Sequence, residues 1–398
     1  MSKNKKLVPK RRFKEFQNSD AWEQRELGEV VQITMGQSPL GSNYTENPSD
    51  YILVQGNADM KNGKVLPRIW TTQVTKTAEP DDIILSVRAP VGDVGKTDYN
   101  VVLGRGVAGI KGNEFIYQLL SKMKSDSYWG KYSTGSTFDS INSNDLKEAN
   151  ICIPSTNEQV QIGSFFRNLD QTIAFQQRKL EKIKSMKSAY LSEMFPAEGE
   201  RKPKRRFPGF TDDWEQRELG EVADIIGGGT PSTSVKEFWD GNIDWYSPVE
   251  IGDKVFVNGS QKKITDLGFQ KSSAQMLPAG TVLFTSRAGI GSTAILETEA
   301  CTNQGFQSIV PKENLDTYFI YSRSHELKRY GEITGAGSTF VEVSGKQMAK
   351  MPILIPDIEE QREIGNFFQN LDQTIAFQQQ KLEKLQNIKK AYLNEMFI

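Results

Sequence analysis

The chain has little cysteine and histidine, and it lacks a long uninterrupted run of apolar residues. Its 398 residues include two cysteines, Cys152 and Cys301, and one histidine, His325. Two cysteines this far apart do not build a disulfide framework, and the set is too small for a cluster of metal ligands. The basic start lacks the apolar core of a signal peptide, and no membrane-spanning run follows. We therefore expect a reduced, soluble, cytoplasmic protein without a metal site.

Strong net charge and catalytic motifs are also missing. The formal net charge is −1, which excludes a uniformly basic binder of the histone type and leaves room for local basic surfaces. There is no Gly-x-x-x-x-Gly-Lys-Ser/Thr loop, no Asn/Asp-Pro-Pro-aromatic motif of adenine methyltransferases, and no Ser–His–Asp set. Three glycines at 227–229 are followed closely by Pro231 and not by a helix, so we interpret them as a turn, with contact to a DNA phosphate as the alternative. The sequence predicts a chain that catalyses nothing alone.

What the chain does contain is a stretch that occurs twice, at 157–195 and at 359–397. The block LDQTIAFQQ is identical in both copies. Apolar residues recur every three or four positions, which predicts two long α-helices, each with a heptad seam. Helices of this length usually need a partner helix to cover the seam, and the natural partner is the other copy.

We expect the two helices to form an antiparallel coiled coil. The link at 196–213 could barely span one helix length when fully extended, and a parallel pair would require that span. Gln176 and Gln378 are polar seam residues at the middle of each helix, and we predict that they meet and fix the register. The alternative is a solvated glutamine on a slightly drifting seam.

A second repeated motif, WEQRELGEV, precedes each globular part, so each repeat consists of an opening motif, a domain and a long helix. The fold class is α+β: two pseudo-repeated mixed α/β domains separated by two long α-helices in an antiparallel coiled coil. Short β-type runs predict strands at 51–54, 83–87, 101–103, 151–153, 282–285, 308–310 and 353–355. Helical patterns lie at 113–125 and 315–330. We divide the chain into a basic tail (1–19), a first domain (20–156), a central helix (157–195), a basic linker (196–213), a second domain (214–358) and a C-terminal helix (359–398).

The two domains differ in sequence and share three landmarks. IILSVRAPVG at 83–92 parallels VLFTSRAGIG at 282–291, which aligns Arg88 with Arg287. Arg105 falls where Gln304 falls, and GSTF occurs in both domains. The pattern indicates one architecture that carries two different surfaces.

These features resemble the specificity subunit of a type I restriction–modification system. The resemblance covers nearly the whole chain. It rests on the duplicated order of variable domain and long helix, on the WEQRELGEV motifs, on the GGGTPSTS…FWDGNIDWYSP segment, and on an Ile-Pro-x-x-x-Glu-Gln run before each helix. It implies that two target recognition domains read the two unlike halves of a split site on double-stranded DNA, while the helices set the spacer and dock two methyltransferase subunits.

The resemblance also implies a division of labour. Restriction subunits, usually two, join the full complex, and the partners supply adenine-N6 methylation and ATP-driven cleavage. S-adenosylmethionine, ATP and Mg²⁺ are then expected on the partners and not on this chain. The alternative function is a coiled-coil scaffold whose two globular ends bind proteins.

Candidate DNA-binding residues are polar or basic side chains of predicted loops, because base edges and phosphates are contacted by such groups. Arg88 and Arg287 have the alternative of satisfying loop carbonyls, and Trp245 has the alternative of a core position. In the first domain the candidates are Gln37, Ser38, Asn57, Lys61, Arg88, Arg105, Lys131, Ser133 and Thr134. In the second domain they are Thr230, Ser232, Lys236, Trp245, Arg287, Gln304, Lys328 and Thr339.

The helices and the basic stretches carry further candidates. Phe165, Phe175, Phe367 and Phe377 lie off the seam, and we expect them to bind helices of partner subunits. Packing on the neighbouring recognition domain is their alternative. The basic stretches at 3–14 and 201–206 are either phosphate contacts or solvated linkers.

Overall fold

The structure, a computed structural model, describes residues 7–132, 140–287, 289–335 and 342–398. It divides into two compact units. Unit 1 comprises residues 1–178 and 380–398, and unit 2 comprises residues 179–379. Each unit therefore contains one mixed α/β domain and one part of each long helix.

Among its described residues, unit 1 has a six-stranded sheet, a five-stranded sheet and a two-stranded ribbon. In the six-stranded sheet the order is β2-β12-β9-β10-β6-β5, in the five-stranded sheet β3-β7-β4-β11-β8, and in the ribbon β1-β13. The strands are β1 (Glu23–Glu26), β2 (Gln32–Met35), β3 (Tyr44–Thr45), β4 (Tyr51–Val54), β5 (Met60–Lys61), β6 (Lys64–Val65), β7 (Trp70–Thr71), β8 (Lys76–Ala78), β9 (Ile83–Ser86), β10 (Val94–Lys96), β11 (Val101–Leu103), β12 (Val107–Lys111) and β13 (Asn150–Ile153). The helices are α1 (Leu27–Val30), α2 (Glu114–Ser125), α3 (Ser143–Lys147) and the first part of α4 (Thr156–Glu193).

Among its described residues, unit 2 repeats this plan with fewer strands. Its sheets have the orders β15-β22-β19-β20-β17, β18-β16-β21 and β14-β23. The strands are β14 (Glu215–Glu218), β15 (Ala223–Gly227), β16 (Trp239–Tyr246), β17 (Phe256–Val257), β18 (Lys262–Ile264), β19 (Val282–Phe284), β20 (Thr293–Leu296), β21 (Cys301–Thr302), β22 (Gln307–Pro311) and β23 (Pro352–Ile355). The helices are α5 (Leu219–Val222), α6 (Asp266–Gln270), α7 (Thr317–Ser322), α8 (Ser324–Gly335), α9 (Gly345–Ala349) and the first part of α10 (Ile358–Met396).

The helix predicted at 315–330 is wrong as a single element. The structure has two helices there, α7 and α8, with a break at Arg323, whose backbone caps the C-terminus of α7. The side chain of Arg323 is 6% exposed, and its guanidinium donates to the carbonyl of Leu354 at 2.5 Å and pairs with Glu326. The apolar periodicity continues across this break, so periodicity alone did not reveal it.

The duplicated stretches form the two long helices, α4 with 38 residues and α10 with 39. In unit 1 the two helices run antiparallel, since Asp170 pairs with Lys389 at 2.6 Å and Phe165 meets Tyr392 with ring centroids 5.2 Å apart. In unit 2 they also run antiparallel, because Lys187 pairs with Asp372 at 2.5 Å while Tyr190 meets Phe367 with ring centroids 5.1 Å apart. The antiparallel arrangement is therefore present in each unit.

The register prediction concerns one residue of each unit. Gln176 belongs to unit 1 and Gln378 to unit 2. Each is 6% exposed, and the side-chain oxygen of each has no hydrogen-bond partner among the described residues. Burial rules against a solvated side chain, and the meeting of the two glutamines stays a prediction.

The WEQRELGEV motif begins each domain by placing a tryptophan in its core. Trp22 in unit 1 and Trp214 in unit 2 are 3% and 0% exposed. Each indole packs edge-on against a phenylalanine at the end of a long helix, Phe397 at 6.2 Å and Phe195 at 5.9 Å between ring centroids. The repeated motif thus joins the domain to the helix pair through aromatic burial.

In each unit an arginine that precedes the domain forms an ion pair with a buried glutamate near the start of a long helix. In unit 1 the guanidinium of Arg12 makes two 2.7 Å bonds to the carboxylate of Glu158, whose side chain is fully buried. In unit 2 Arg206 makes the same two bonds, each 2.7 Å, to the fully buried Glu360. We call these two ion pairs the arginine clamps. For Arg12 and Arg206 both interpretations of the basic stretches, phosphate contact and solvated linker, are wrong, because the side chains are committed to buried carboxylates.

An aspartate of the duplicated block joins each domain to the helix pair. In unit 1 Asp170 accepts a 2.7 Å hydrogen bond from the buried amide of Gln118, a residue of α2, besides its pair with a lysine. In unit 2 Asp372 accepts a 2.9 Å bond from the hydroxyl of Tyr318, a residue of α7. Burial and the charge of Asp372 raise the pKa of Tyr318, so its phenol stays protonated and remains a donor.

Replacing Tyr318 by phenylalanine is expected to lower the free energy of unfolding by about 1.5–3 kcal/mol, the usual worth of a hydrogen bond to a charged group. The change keeps the ring and removes the donor to Asp372. Urea unfolding of the full chain measures it. Tyr321→Phe is the matched control, because the Tyr321 hydroxyl has no hydrogen bond to another described residue. Equal midpoints for the two variants would contradict a role for this bond.

Candidate nucleic-acid interface

In unit 1 several polar loops meet in a cleft of about 320 Å³. The loops follow β2, β4, β9 and β11, so the cleft lies where these strands end. Four candidates from the sequence are brought together here: Ser38, Asn57, Arg88 and Arg105. Sequence reasoning missed Gln55 and Gly56, which complete the lining with Ala89 and Gly106. The signal for Gln55 was available, since a polar run begins directly after a buried strand.

The backbone on both sides of Arg105 is held by three hydrogen bonds. Gly104 N–H donates to Val54 O at 2.7 Å, Gln37 N–H donates to Leu103 O at 2.8 Å, and Val87 N–H donates to Gly106 O at 2.8 Å. The N–H of Arg105 itself donates to Ser38 Oγ at 3.0 Å. We call the three bonds between backbone groups the loop frame.

The glycine that follows Arg105 makes the loop frame sterically feasible. A Cβ at Gly106 would lie 2.0 Å from Gln55 O. The two backbone segments therefore approach more closely at Gly106 than a side chain there would permit. The Arg105 side chain is exposed and forms no ion pair with another described residue.

Unit 2 has the same loop frame around Gln304. Asn303 N–H donates to Tyr246 O at 2.9 Å, Gly229 N–H donates to Thr302 O at 2.9 Å, and Ser286 N–H donates to Gly305 O at 2.8 Å. These three bonds correspond one by one to those around Arg105. The sequence alignment of Arg105 with Gln304 is therefore an equivalence of backbone position.

In unit 2 the side chain at this position, Gln304, has a hydrogen-bond partner within the same unit. Thr230, which stands where Ser38 stands in unit 1, donates its hydroxyl to Gln304 Oε1. Gln304 is exposed and Thr230 is half-buried. Two candidates from the sequence thus form one hydrogen-bonded pair beside the loop frame.

The two aligned arginines are placed next to the loop frame in each unit. Arg88 is bridged through its backbone to Ser140, and Arg287 to Glu342. Arg88 is exposed and Arg287 is half-buried. Neither guanidinium hydrogen-bonds to a carbonyl of another described residue. Within the described part of the chain, the interpretation as carbonyl-satisfying arginines therefore finds no support.

The prediction that Trp245 binds DNA is wrong. It is 6% exposed, packs edge-on against Trp239 with ring centroids 5.1 Å apart, and donates its indole N–H to Gly229 O at 2.8 Å. A ring with this contact cannot stack on a base without leaving the core. The alternative of a core position is the one that the structure supports.

Of the remaining candidates, Gln37 belongs to the loop frame of unit 1 through its backbone N–H. The others take no part in the bonds of either frame or lie outside the described residues. Lys131 is exposed, with Nζ 3.7 Å from the ring centroid of Tyr128. Ser232 shares a 2.9 Å hydrogen bond with Ser234. Gln37, Lys61, Lys236 and Lys328 are exposed. Ser133, Thr134 and Thr339 lie outside the described residues.

The four off-seam phenylalanines separate into two pairs. Phe165 and Phe367 are half-buried and pack inside their own units, against Tyr392 and Tyr190 respectively. Phe175 and Phe377 are 59% and 62% exposed. The first pair is thus packed against the other long helix and the core of its own unit, and the second pair keeps free apolar surface on the identical block.

Among the described residues no helix has a stretch that is long and apolar enough to cross a membrane. In the same part of the chain, no group of three or more His, Cys, Asp or Glu side chains is arranged to hold a metal ion.

One protein family matches this chain twice, once in each copy of the repeat. The family model described as type I restriction modification DNA specificity domain matches residues 19–185 and again residues 211–387. Over 190 residues the chain is 31% identical to the type I restriction enzyme MjaIX specificity subunit of Methanocaldococcus jannaschii. This alignment covers 47% of this chain and 44% of that protein. Over 167 residues it is 30% identical to the EcoR124I/EcoR124II specificity subunit of Escherichia coli, covering 40% and 41%. The alignments span less than half of each of these relatives.

The fold is similar to solved structures over almost the entire chain. The S subunit of a type I restriction-modification system from M. genitalium matches with a TM-score of 0.66 at 16% identity, covering 98% of this chain and 99% of that one. A chain from a structural study of assembly and conformational transition in the type I R-M system matches with a TM-score of 0.54 at 20% identity, covering 94% and 97%. The predicted fold class is confirmed.

Proposed function

Because the chain belongs to the type I restriction modification DNA specificity domain family, we propose that it is the sequence-reading subunit of a type I restriction–modification complex. Its two domains read the two unlike halves of a split site on double-stranded DNA. The observation that carries the proposal is the pair of equivalent loop frames, each with a different exposed side chain at its centre. Equivalent frames with unequal side chains suit two half-sites of different sequence.

The proposal gives catalysis to partner subunits. Two methyltransferase subunits dock on the helices and methylate adenine at N6 with S-adenosylmethionine, while restriction subunits use ATP and Mg²⁺ to translocate and cleave DNA in the cytoplasm. Phe175 and Phe377 support docking on the helices, because each exposes a phenyl ring on an otherwise polar face of the identical block. Exposed aromatic rings of this kind are typical anchors of protein interfaces.

The test is to map methylated adenines in DNA modified by the assembled complex. The proposal expects one bipartite sequence with two different half-sites and a fixed spacer. Sequence-dependent binding that weakens steeply with salt is expected from the complex as well. The scaffold alternative expects neither result, and a complex that methylates DNA without sequence preference would contradict the proposal.

Inserting one helical turn after Gln176 is expected to lengthen the unread spacer while both half-sites stay unchanged. A turn adds about 5.4 Å, which corresponds to one or two base pairs at about 3.4 Å per step. Methylated-adenine mapping of the insertion variant measures the spacer directly. An altered half-site with an unchanged spacer would contradict the role of the helices as the spacing element.

A further inference from the structure

The two loop frames differ at one chemically decisive position. The same three backbone bonds surround Arg105 in unit 1 and Gln304 in unit 2. Both side chains are exposed, and each stands between backbone segments that the frame holds in place. A rigid frame presents its central side chain at a small cost in conformational entropy. The difference between the two frames is therefore a difference in the hydrogen-bonding groups that they present.

Arginine and glutamine select different purines in the major groove. The guanidinium of Arg105 offers only donors, and guanine presents two acceptors, O6 and N7. The amide of Gln304 offers a donor and an acceptor, and adenine presents the N6 donor and the N7 acceptor. Arg105 has no ion pair with a described residue that would occupy its donors.

The neighbours of each side chain favour the same assignment. Ser38 accepts from the backbone N–H of Arg105 and leaves the guanidinium free. Thr230 donates to Gln304 Oε1, which orients the amide and leaves its two N–H donors and one lone pair of Oε1 for a base.

The shared arginines have a different role. Arg88 and Arg287 occupy equivalent positions in both units, so they cannot distinguish two unlike half-sites. A cation that is common to both domains suits phosphate contact, which positions the duplex without reading its sequence.

We propose that Arg105 selects a guanine in the half-site read by unit 1, and that Gln304 selects an adenine at the equivalent place in the half-site read by unit 2. The inference rests on the proposed function and adds to it the identity of one base in each half-site. It also assigns Arg88 and Arg287 to the DNA backbone.

The experiment compares Arg105→Gln with Gln304→Arg in the full chain, each assembled with its methyltransferase subunits. Methylation of a DNA library, randomised over both half-sites and sequenced for methylated adenine, gives the base preference at every position. Arg105→Gln is expected to reduce the preference for guanine at one position by about 10- to 100-fold and to favour adenine there. Gln304→Arg is expected to make the reverse change in the other half-site. The spacer and the other half-site stay unchanged in each case.

Arg88→Ala is the control, because loss of a phosphate contact weakens methylation of all sequences nearly equally and reduces the dependence on salt. If both exchange variants methylate the wild-type motif unchanged, the base assignment is wrong and the proposed function stands. If a preference changes at a position where the wild type requires neither guanine nor adenine, the assignment is also wrong. If the wild-type complex shows no sequence preference, the proposed function itself fails. Both exchanged residues are exposed, and circular dichroism of each variant confirms that the fold is kept.

Discussion

Replacing Arg206 by methionine is expected to lower the free energy of unfolding by about 3–5 kcal/mol. The change leaves the carboxylate of Glu360 buried without its two guanidinium bonds, and its side chain is fully buried in the native structure. Removing one member of a buried pair costs far more than the pair contributes, because the remaining charge has lost its water and its partner. Such a loss is a large part of the stability of a typical domain. Urea unfolding followed by tryptophan fluorescence measures it.

The neighbouring arginine provides a matched control for this prediction. Arg205 pairs with Glu193 at 2.6 Å, but both side chains are substantially exposed. Arg205→Met should therefore change the unfolding midpoint little, since exposed ion pairs contribute little. Replacing both members of the buried pair, Arg206→Met with Glu360→Leu, should recover most of the lost stability. The interpretation fails if Arg206→Met and Arg205→Met unfold at the same urea concentration.

Under the proposed function, replacing Phe175 by aspartate is expected to weaken docking of a methyltransferase subunit by about 10- to 100-fold. Burying a phenyl side chain contributes about 1.5–3 kcal/mol, and each 1.4 kcal/mol is a tenfold change in affinity. Because Phe377 occupies the same place in the second copy of LDQTIAFQQ, Phe377→Asp should have an equal effect, and the double variant should lose both subunits. Size-exclusion chromatography with light scattering measures the stoichiometry of the complex.

Val160→Arg is the control for the docking prediction. Val160 is 59% exposed on the same helix, and its counterpart in the second copy is already an arginine, Arg362. A charge at this position is therefore compatible with the helix, and assembly should be unchanged. If the aspartate variants keep two methyltransferase subunits at wild-type affinity, the exposed phenylalanines are not the docking residues.

The long helices were predictable from the sequence because their signal is repeated and periodic. The predicted bounds, 157–195 and 359–397, differ from the observed Thr156–Glu193 and Ile358–Met396 by one or two residues. Apolar spacing shows which face of a helix is covered, and together with the short link it predicted the antiparallel packing found in each unit. The same spacing could not reveal the break between α7 and α8, since it continues across Arg323.

Long-range pairing of charged groups was not predictable. Arg12 and Glu158 are 146 residues apart in the chain, and a basic run such as RKPKRR usually indicates a solvated surface. Only the fold brings the buried carboxylate to the arginine. The repetition of both partners, Arg206 with Glu360 in the second copy, was a signal that could have indicated the arginine clamps.

The candidate interface was predictable in its landmarks and not in its geometry. The sequence alignment of the two domains already matched Arg105 with Gln304 and Arg88 with Arg287. The three hydrogen bonds that make the first alignment a structural equivalence join residues from four separate segments of the chain. Trp245 shows the opposite kind of error. Its polar sequence surroundings indicated an exposed ring that could stack on a base, but the side chain is buried in the core.

The loop frame has a consequence for how such proteins diversify. Its bonds are made by main-chain N–H and C=O groups, so the residue at its centre contributes almost nothing to keeping the domain folded. Mutations there escape the penalty that restrains core positions. Under the proposed base assignment, a single codon change at this position therefore alters the target sequence while the scaffold stays the same.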